Sequence, residues 1–213
     1  MSYSKEIMES SEKRKHKKPQ LVVLSAPSGA GKSTICKLLI ERNPDFRLSI
    51  SATTRPPRPT EIDGIHYYFI SEEEFQKHIQ QGDFIEYERV HGHYYGTLKN
   101  KLEKLIKNGY TILFDIDVNG ALNIKKLFPH AILIFIRPPS LEELKHRLRN
   151  RKSDSEEAIE MRLKRLPEEY AKAAFFDYDI VNDDLDQTVD RITQIIRNHQ
   201  KRDFYVSNKS VKR

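Results

Sequence analysis

The sequence predicts an α/β fold, a core in which a parallel sheet is flanked by helices around a P-loop. Three observations carry that prediction. The apolar, strand-forming run Leu21–Leu24 passes through Ser25-Ala26-Pro27-Ser28-Gly29-Ala30-Gly31-Lys32-Ser33-Thr34 straight into a helical pattern, which is the strand–loop–helix setting that a phosphate-binding loop requires. Two almost wholly apolar runs, Tyr110–Phe114 and Ala131–Ile136, read as strands buried on both faces, as in parallel sheets. Strand patterns and amphipathic helical patterns then alternate along the chain.

The loop comes first. Small residues let its backbone curl so that successive N–H groups point inward at phosphate oxygens, and the helix that follows adds the positive end of its dipole. In that setting Lys32 neutralises charge on the β- and γ-phosphates, and the Ser33 hydroxyl ligates Mg²⁺. The motif's first glycine position is taken by Ala26, so that position has to avoid the positive φ values that glycine adopts at little cost. The competing reading is a glycine-rich strand-to-helix turn without a ligand.

A chain of 213 residues is long enough for one domain with inserted lobes and a sizeable core. It has no apolar run that could span a membrane and no signal-peptide core near its start. A single cysteine, Cys36, cannot form an intramolecular disulfide, and a reducing cytoplasm is the simplest address. The net charge is +6, but residues 1–20 hold six Lys/Arg against three Glu, and residues 201–213 hold five against one Asp. The stretch between them is nearly neutral. The basic ends therefore read as solvated arms, and no nucleic-acid surface is inferred from them.

Ordered structure is expected from near Pro19, and the helix after the loop should stop at Arg42, before Asn43-Pro44. Leu48–Ser51 reads as a short strand. Thr53-Thr54-Arg55-Pro56-Pro57-Arg58-Pro59 can be neither helix nor central strand. Its prolines stiffen a segment bearing two arginines, which makes an anion clamp or an ordinary surface loop. Residues 65–97 read as a small mixed lobe. Within it Ser71-x-x-Glu74 is a capping box opening a helix to Gln81, Gly82 ends that helix, and Phe84–Val90 is a strand with Glu86 inside. His91-Gly92-His93 forms a turn into Tyr94-Tyr95-Gly96-Thr97 and, with no cysteine nearby, is not read as a metal site.

The next helix ends at Asn108-Gly109, and the strand Tyr110–Phe114 runs into Asp115-Ile116-Asp117. Carboxylates at the C-terminal end of a parallel strand lie where open α/β sheets bind ligands. Ala131–Ile136 runs into Arg137-Pro138-Pro139, after which Ser140-x-x-Glu143 caps a helix. The polar stretch Leu141–Lys172 carries Arg147, Arg149, Arg151, Arg162 and Arg165. Arg147 and Arg151 share a helix face and can grip one polyanion, although such charges also serve solubility alone. Pro167 should kink or break the helix. Asp177–Asn182 reads as the last strand, and a helix follows from Leu185 to Asn198.

Taken together these segments resemble the guanylate kinase family. The resemblance covers residues 20–200 and rests on the P-loop, Ser51-Ala52-Thr53-Thr54-Arg55-Pro56-Pro57-Arg58, Asp63-Gly64-Ile65-His66-Tyr67, Phe84-Ile85-Glu86-Tyr87, Tyr94-Tyr95-Gly96-Thr97, Asp115-Ile116-Asp117 and Val181-Asn182-Asp183-Asp184. It implies a kinase that transfers the γ-phosphoryl of ATP to GMP, and to dGMP, with Mg²⁺, in purine nucleotide metabolism. It implies a core (19–50, 98–140 and 173–202), an inserted mixed α+β GMP-binding lobe (51–97) and a helical lid (141–172), between a basic arm (1–18) and a C-terminal tail (203–213). By the same resemblance ATP is held by Ala26, Pro27, Ser28, Gly29, Ala30, Gly31, Lys32, Ser33, Thr34 and Asn182. GMP is held by Ser51, Arg55, Arg58, Tyr67, Glu86, Tyr95, Thr97 and Asp115. Lys32, Arg55 and the lid residues Arg147, Arg151 and Arg162 are the implied catalytic group, with Ser33 and, through water, Asp117 on Mg²⁺. Lys152, where glycine is usual, and Pro167 depart from the family pattern. Oligomeric state is left open.

On this reading Glu86 selects the base. Guanine presents N1–H and N2–H₂ side by side, two donors that suit one carboxylate, whereas adenine offers an acceptor at N1. Two rivals stay open: a catalytically dead scaffold of the same fold, against which Lys32 and Ser33 argue, and a P-loop kinase for a sugar phosphate, which would not need Glu86 with Ser51 and Thr97.

Overall fold

A computed structural model describes residues 19–90, 92–150 and 156–210. The larger sheet has the strand order β2-β7-β1-β8-β9, with β1 Gln20–Ser25, β2 Phe46–Ser49, β7 Thr111–Asp115, β8 Ile132–Arg137 and β9 Tyr178–Val181. By compactness the chain forms two bodies, one of residues up to Val23 with Asp45–Ala131, the other of Leu24–Pro44 with residues from Ile132 onward. Each is described by itself.

In the first body β2 and β7 pair in parallel, Phe46 opposite Thr111 through Ser49 opposite Phe114. Phe46, Ile112, Leu113 and Phe114 are fully buried, as the apolar run requires. A second sheet has the order β4-β3-β6-β5, with β3 Ala52–Thr53, β4 Tyr68–Phe69, β5 Phe84–Val90 and β6 His93–Leu98. The expected strand Leu48–Ser51 begins and ends earlier, as β2 Phe46–Ser49; Ile50 and Ser51 belong to no strand, and Ala52 opens β3 in the second sheet, opposite Gly96. The helices of this body are α2 Glu72–Gln81, α3 Lys99–Lys107 and α4 Val118–Leu127, whereas α1, Lys32–Arg42, belongs to the second body. Ser71 caps α2 as expected, its Oγ accepting from Glu74 N at 3.1 Å, and Gly82 closes the helix at φ 66°. Phe75 of α2 stacks on Phe84 at 4.3 Å and on Tyr94 at 5.2 Å, which makes the small core of this sheet. Of the expected turn, His91 lies outside the described residues.

In the second body β8 and β9 pair in parallel, Ile134 opposite Tyr178 through Arg137 opposite Val181. The helices α5 Leu141–Asn150, α6 Glu156–Lys164 and α7 Leu166–Ala173 follow β8. Ser140 Oγ accepts from Glu143 N at 3.0 Å, as the sequence predicts. Leu144 and Leu148 of α5 pack with Ile159 and Leu166. The helical stretch breaks before Pro167, which sits in the first turn of α7, where a missing N–H is harmless. The last helix, α8, runs from Leu185 to Ser210. It passes the expected end at Asn198 and enters the stretch assigned to a tail, because residues 199–210 contain neither proline nor glycine.

Candidate active site

The phosphate loop lies in the second body. Gly29 and Gly31 both adopt φ 96°, a region open to glycine, and Ala30 N bonds back to Pro27 O at 3.1 Å. A Cβ on Gly31 would also lie 2.7 Å from Asn182 Nδ2, so glycine is required there twice over. Asn182 is 4% exposed. Its Nδ2 donates to Ala30 O at 2.9 Å, and its own carbonyl accepts from Arg147 Nη2 at 3.5 Å. Arg162 donates to Ser28 Oγ, and Arg147 Nε is held by Glu143 at 2.7 Å. Two arginines from α5 and α6 thus stand at the loop, beside Lys32 and Ser33, which open α1. Arg151 lies outside the described residues, as does Lys152.

The first body carries the other predicted group. Arg55 Nη2 donates to Glu61 Oε1 at 2.8 Å, and Arg58 N donates to Glu61 Oε2 at 2.8 Å. The Arg55 guanidinium lies over the Tyr67 ring at 5.5 Å, and Tyr67 meets Tyr95 edge-on at 5.9 Å. Burial works against the charge of Arg55, but its bonds to Glu61 and Tyr95 outweigh that and raise its pKa. Burial likewise opposes the Glu61 carboxylate, and Arg55 and Arg58 together hold its pKa below the ordinary range. For Tyr67 burial, then the charges of Asp115 and Tyr95, push the hydroxyl's pKa upward, so it stays a donor.

Glu86 is 7% exposed, on β5 just past a register shift. The shift sets it opposite Thr97, whose hydroxyl donates to Glu86 Oε1 at 2.6 Å. Burial raises the Glu86 pKa to about 7, against the Thr97 hydrogen bond, and the charges of Asp117 and Glu88 add to the rise. Asp117 has a second task, since its Oδ1 accepts from Asn119 N at 2.7 Å and Gly120 N at 3.2 Å and so caps α4. Ser51 is buried, and its carbonyl accepts from Tyr68 N at 2.9 Å. Among the described residues no cluster of three metal-ligating side chains occurs. Hydroxyl oxygens such as that of Ser33 nevertheless suit Mg²⁺, which keeps waters and takes few protein ligands beside substrate phosphates.

Residues 18–199 match the family model described as guanylate kinase. The guanylate kinase of Caldanaerobacter subterraneus is 48% identical over 176 residues, covering 83% of this chain and 85% of the relative. That of Synechocystis sp. is 51% identical over 179 residues, covering 84% and 94%. The crystal structure of guanylate kinase from Anaplasma phagocytophilum superposes with a TM-score of 0.72 at 35% identity, over 88% of this chain and 89% of that one. The chain belongs to the guanylate kinase family.

Every described residue expected to bind GMP in this guanylate kinase family chain falls in the first body, and every one expected to bind ATP falls in the second. Glu61 is the residue that sequence reasoning missed. A carboxylate three positions after Arg58 in the same proline-stiffened loop was the available signal. Asn182, expected on the nucleotide, also ties down the loop through its Nδ2–H to Ala30 O. No described helix is long and apolar enough to cross a membrane.

Proposed function

We propose that the chain catalyses ATP + GMP = ADP + GDP as a nucleoside monophosphate kinase, accepts dGMP as well, and works in cytoplasmic purine nucleotide metabolism, returning GMP to the diphosphate pool. Beyond family membership, the observation that carries the acceptor is the buried Glu86 carboxylate with Thr97 at 2.6 Å. A sugar phosphate would leave that pair with nothing to read.

The nucleophile is a phosphate oxygen of GMP, already largely ionised at pH 7 because its second pKa is about 6. No general base is needed, and the pocket offers arginines in place of a catalytic histidine. The task is to bring two polyanions into line and neutralise them. In this reading Arg55, Arg58, Tyr67 and Tyr95 hold the GMP phosphate, with Glu61 keeping both arginines in place. Glu86, Thr97, Ser51 and Asp115 hold the nucleoside. Residues Ala26–Thr34 cradle the ATP phosphates through backbone N–H groups and Lys32, with Asn182 supporting that loop from behind. Arg147, Arg151 and Arg162 close on the transferring group from a lid formed by residues 141–172, while 51–97 form the acceptor lobe and 1–18 a basic arm. Ser33 would hold Mg²⁺, which would supply charge neutralisation on the ATP phosphates.

A coupled assay of ADP formation across GMP, AMP, CMP and UMP tests the proposal. GMP should be used at least about a hundredfold better than any other acceptor, since a site built to hydrogen-bond one base rejects another strongly. Equal use of AMP, or ATP turnover without any nucleotide acceptor, would remove it.

A further inference from the structure

We propose that Gly120 is a specificity-determining positioning residue, which keeps the Glu86 carboxylate in register for guanine by leaving the space beside it empty. This rests on Glu86 being the base reader. The helix α4 packs against β5, and Gly120, buried in its first turn, faces Glu86. A Cβ on Gly120 would lie 3.0 Å from Glu86 Oε2 and 3.3 Å from Ile116 Cδ1. Ordinary contact between carbon and oxygen begins nearer 3.4 Å, so a methyl group there has to displace something. The Gly120 backbone cannot retreat freely, because its N–H is held by Asp117 Oδ1 at 3.2 Å. The carboxylate is the movable party.

Moving it is cheap for folding and costly for reading. Oε1 is anchored by Thr97 at 2.6 Å, so a push on Oε2 rotates the carboxylate plane about that anchor. Bidentate pairing with N1–H and N2–H₂ needs both oxygens level with two parallel donors, and rotation misaligns one of them. Gly120 is not among the glycines with positive φ, so its backbone tolerates alanine, and in a helix interior alanine is favoured over glycine. A merely structural glycine would therefore give a neutral or stabilised variant with unchanged kinetics. A positioning glycine gives a stable variant that reads guanine badly.

The test uses the full chain with Gly120→Ala, Glu86→Asp, Glu86→Gln and the double variant Gly120→Ala/Glu86→Asp. Each is measured for kcat and KM with GMP, KM with ATP, and Tm. Gly120→Ala should keep its Tm or gain, raise KM for GMP about tenfold to a hundredfold, and leave KM for ATP within a factor of two. Glu86→Asp withdraws the carboxylate by one methylene and opens room for the new methyl, so adding Gly120→Ala to it should cost less than threefold more. That non-additivity is the signature of contact through the carboxylate. Unchanged GMP kinetics in Gly120→Ala, or fully additive losses in the double variant, overturn the assignment. If Glu86→Gln itself leaves GMP use intact, it is the base-reading role of Glu86 that fails. Should Gly120→Ala fail to fold, the double variant Gly120→Ala/Glu86→Asp decides by its Tm: rescue of folding by the shorter carboxylate upholds the contact, and failure of both to fold overturns it.

Discussion

The phosphate loop is built on backbone from one contiguous stretch, whereas the surroundings of Glu86 are built from side chains of segments far apart in the chain. In the loop, Gly29 and Gly31 take left-handed conformations and Asn182 ties down the Ala30 carbonyl. Its N–H groups carry fixed partial charges that neither titrate nor depend on a particular base. In the pocket a register shift on β5 brings Glu86 opposite Thr97, and burial lifts its pKa to about 7. In the proposed reading the loop accepts any polyphosphate, while base selection depends on one carboxylate and on the groups that hold it: generic affinity from backbone, selectivity from a buried side chain whose ionisation is costly.

Substitutions should separate the two regions, and the largest effect belongs to the loop. Lys32→Ala should nearly abolish turnover while leaving the affinity for GMP largely intact, as measured by equilibrium binding in the absence of ATP. A fall in GMP affinity equal to the fall in turnover would falsify the division of labour.

Glu86→Gln comes next. The amide offers guanine a donor where an acceptor is needed, losing one charge-assisted bond and creating an unmatched buried donor, so kcat/KM for GMP should drop by about two to four orders of magnitude. AMP should lose little or gain, and ATP affinity should stay the same. A GMP:AMP ratio within a factor of about three of wild type would mean that Glu86 does not read the base.

The same variant should be the more stable protein at high pH. A carboxyl whose folded pKa is about 7, against 4.5 ordinarily, binds more protons folded than unfolded between those values. Stability is therefore lost as pH rises through that window, reaching about 3 kcal/mol above pH 7. Glu86→Gln escapes that loss, so its Tm advantage should grow from pH 4.5 to pH 7 and then level off. Denaturation at pH 5 and pH 8 reads this directly, and an advantage that shrinks with pH would contradict the burial of Glu86.

Smaller effects test the arginine clamp and the basic end. Glu61→Gln removes the charge shared by Arg55 and Arg58 and should raise KM for GMP about tenfold with KM for ATP unchanged. An equal rise in both would show that Glu61 supports folding and not the phosphate clamp. Removing residues 1–18 should change neither kcat nor Tm, since those lysines lie outside the charge-balanced stretch. A fall in either would make the arm part of the enzyme.

From the amino-acid order alone, the alternation of strands and helices, the P-loop, the capping boxes at Ser71 and Ser140 and the break before Pro167 could all be read. Each is a local event in which a residue acts on backbone within a turn or two. The candidate residues of the two sites could also be named, because the short segments that carry them resemble those of the guanylate kinase family. What spacing could not express was decided by pairing across distance. Whether residues 46–53 make one strand or two depends on Ala52 finding Gly96. Whether Glu86 is an exposed strand glutamate or a buried reader depends on the register that sets it against Thr97 and on α4 packing over it. The roles of Glu61 as the link between two arginines, of Asn182 as the support of the loop and of Gly120 as an empty space are likewise tertiary. Hydrogen bonds and van der Waals contacts act between atoms brought together in space, and no periodicity along the chain encodes which atoms those are.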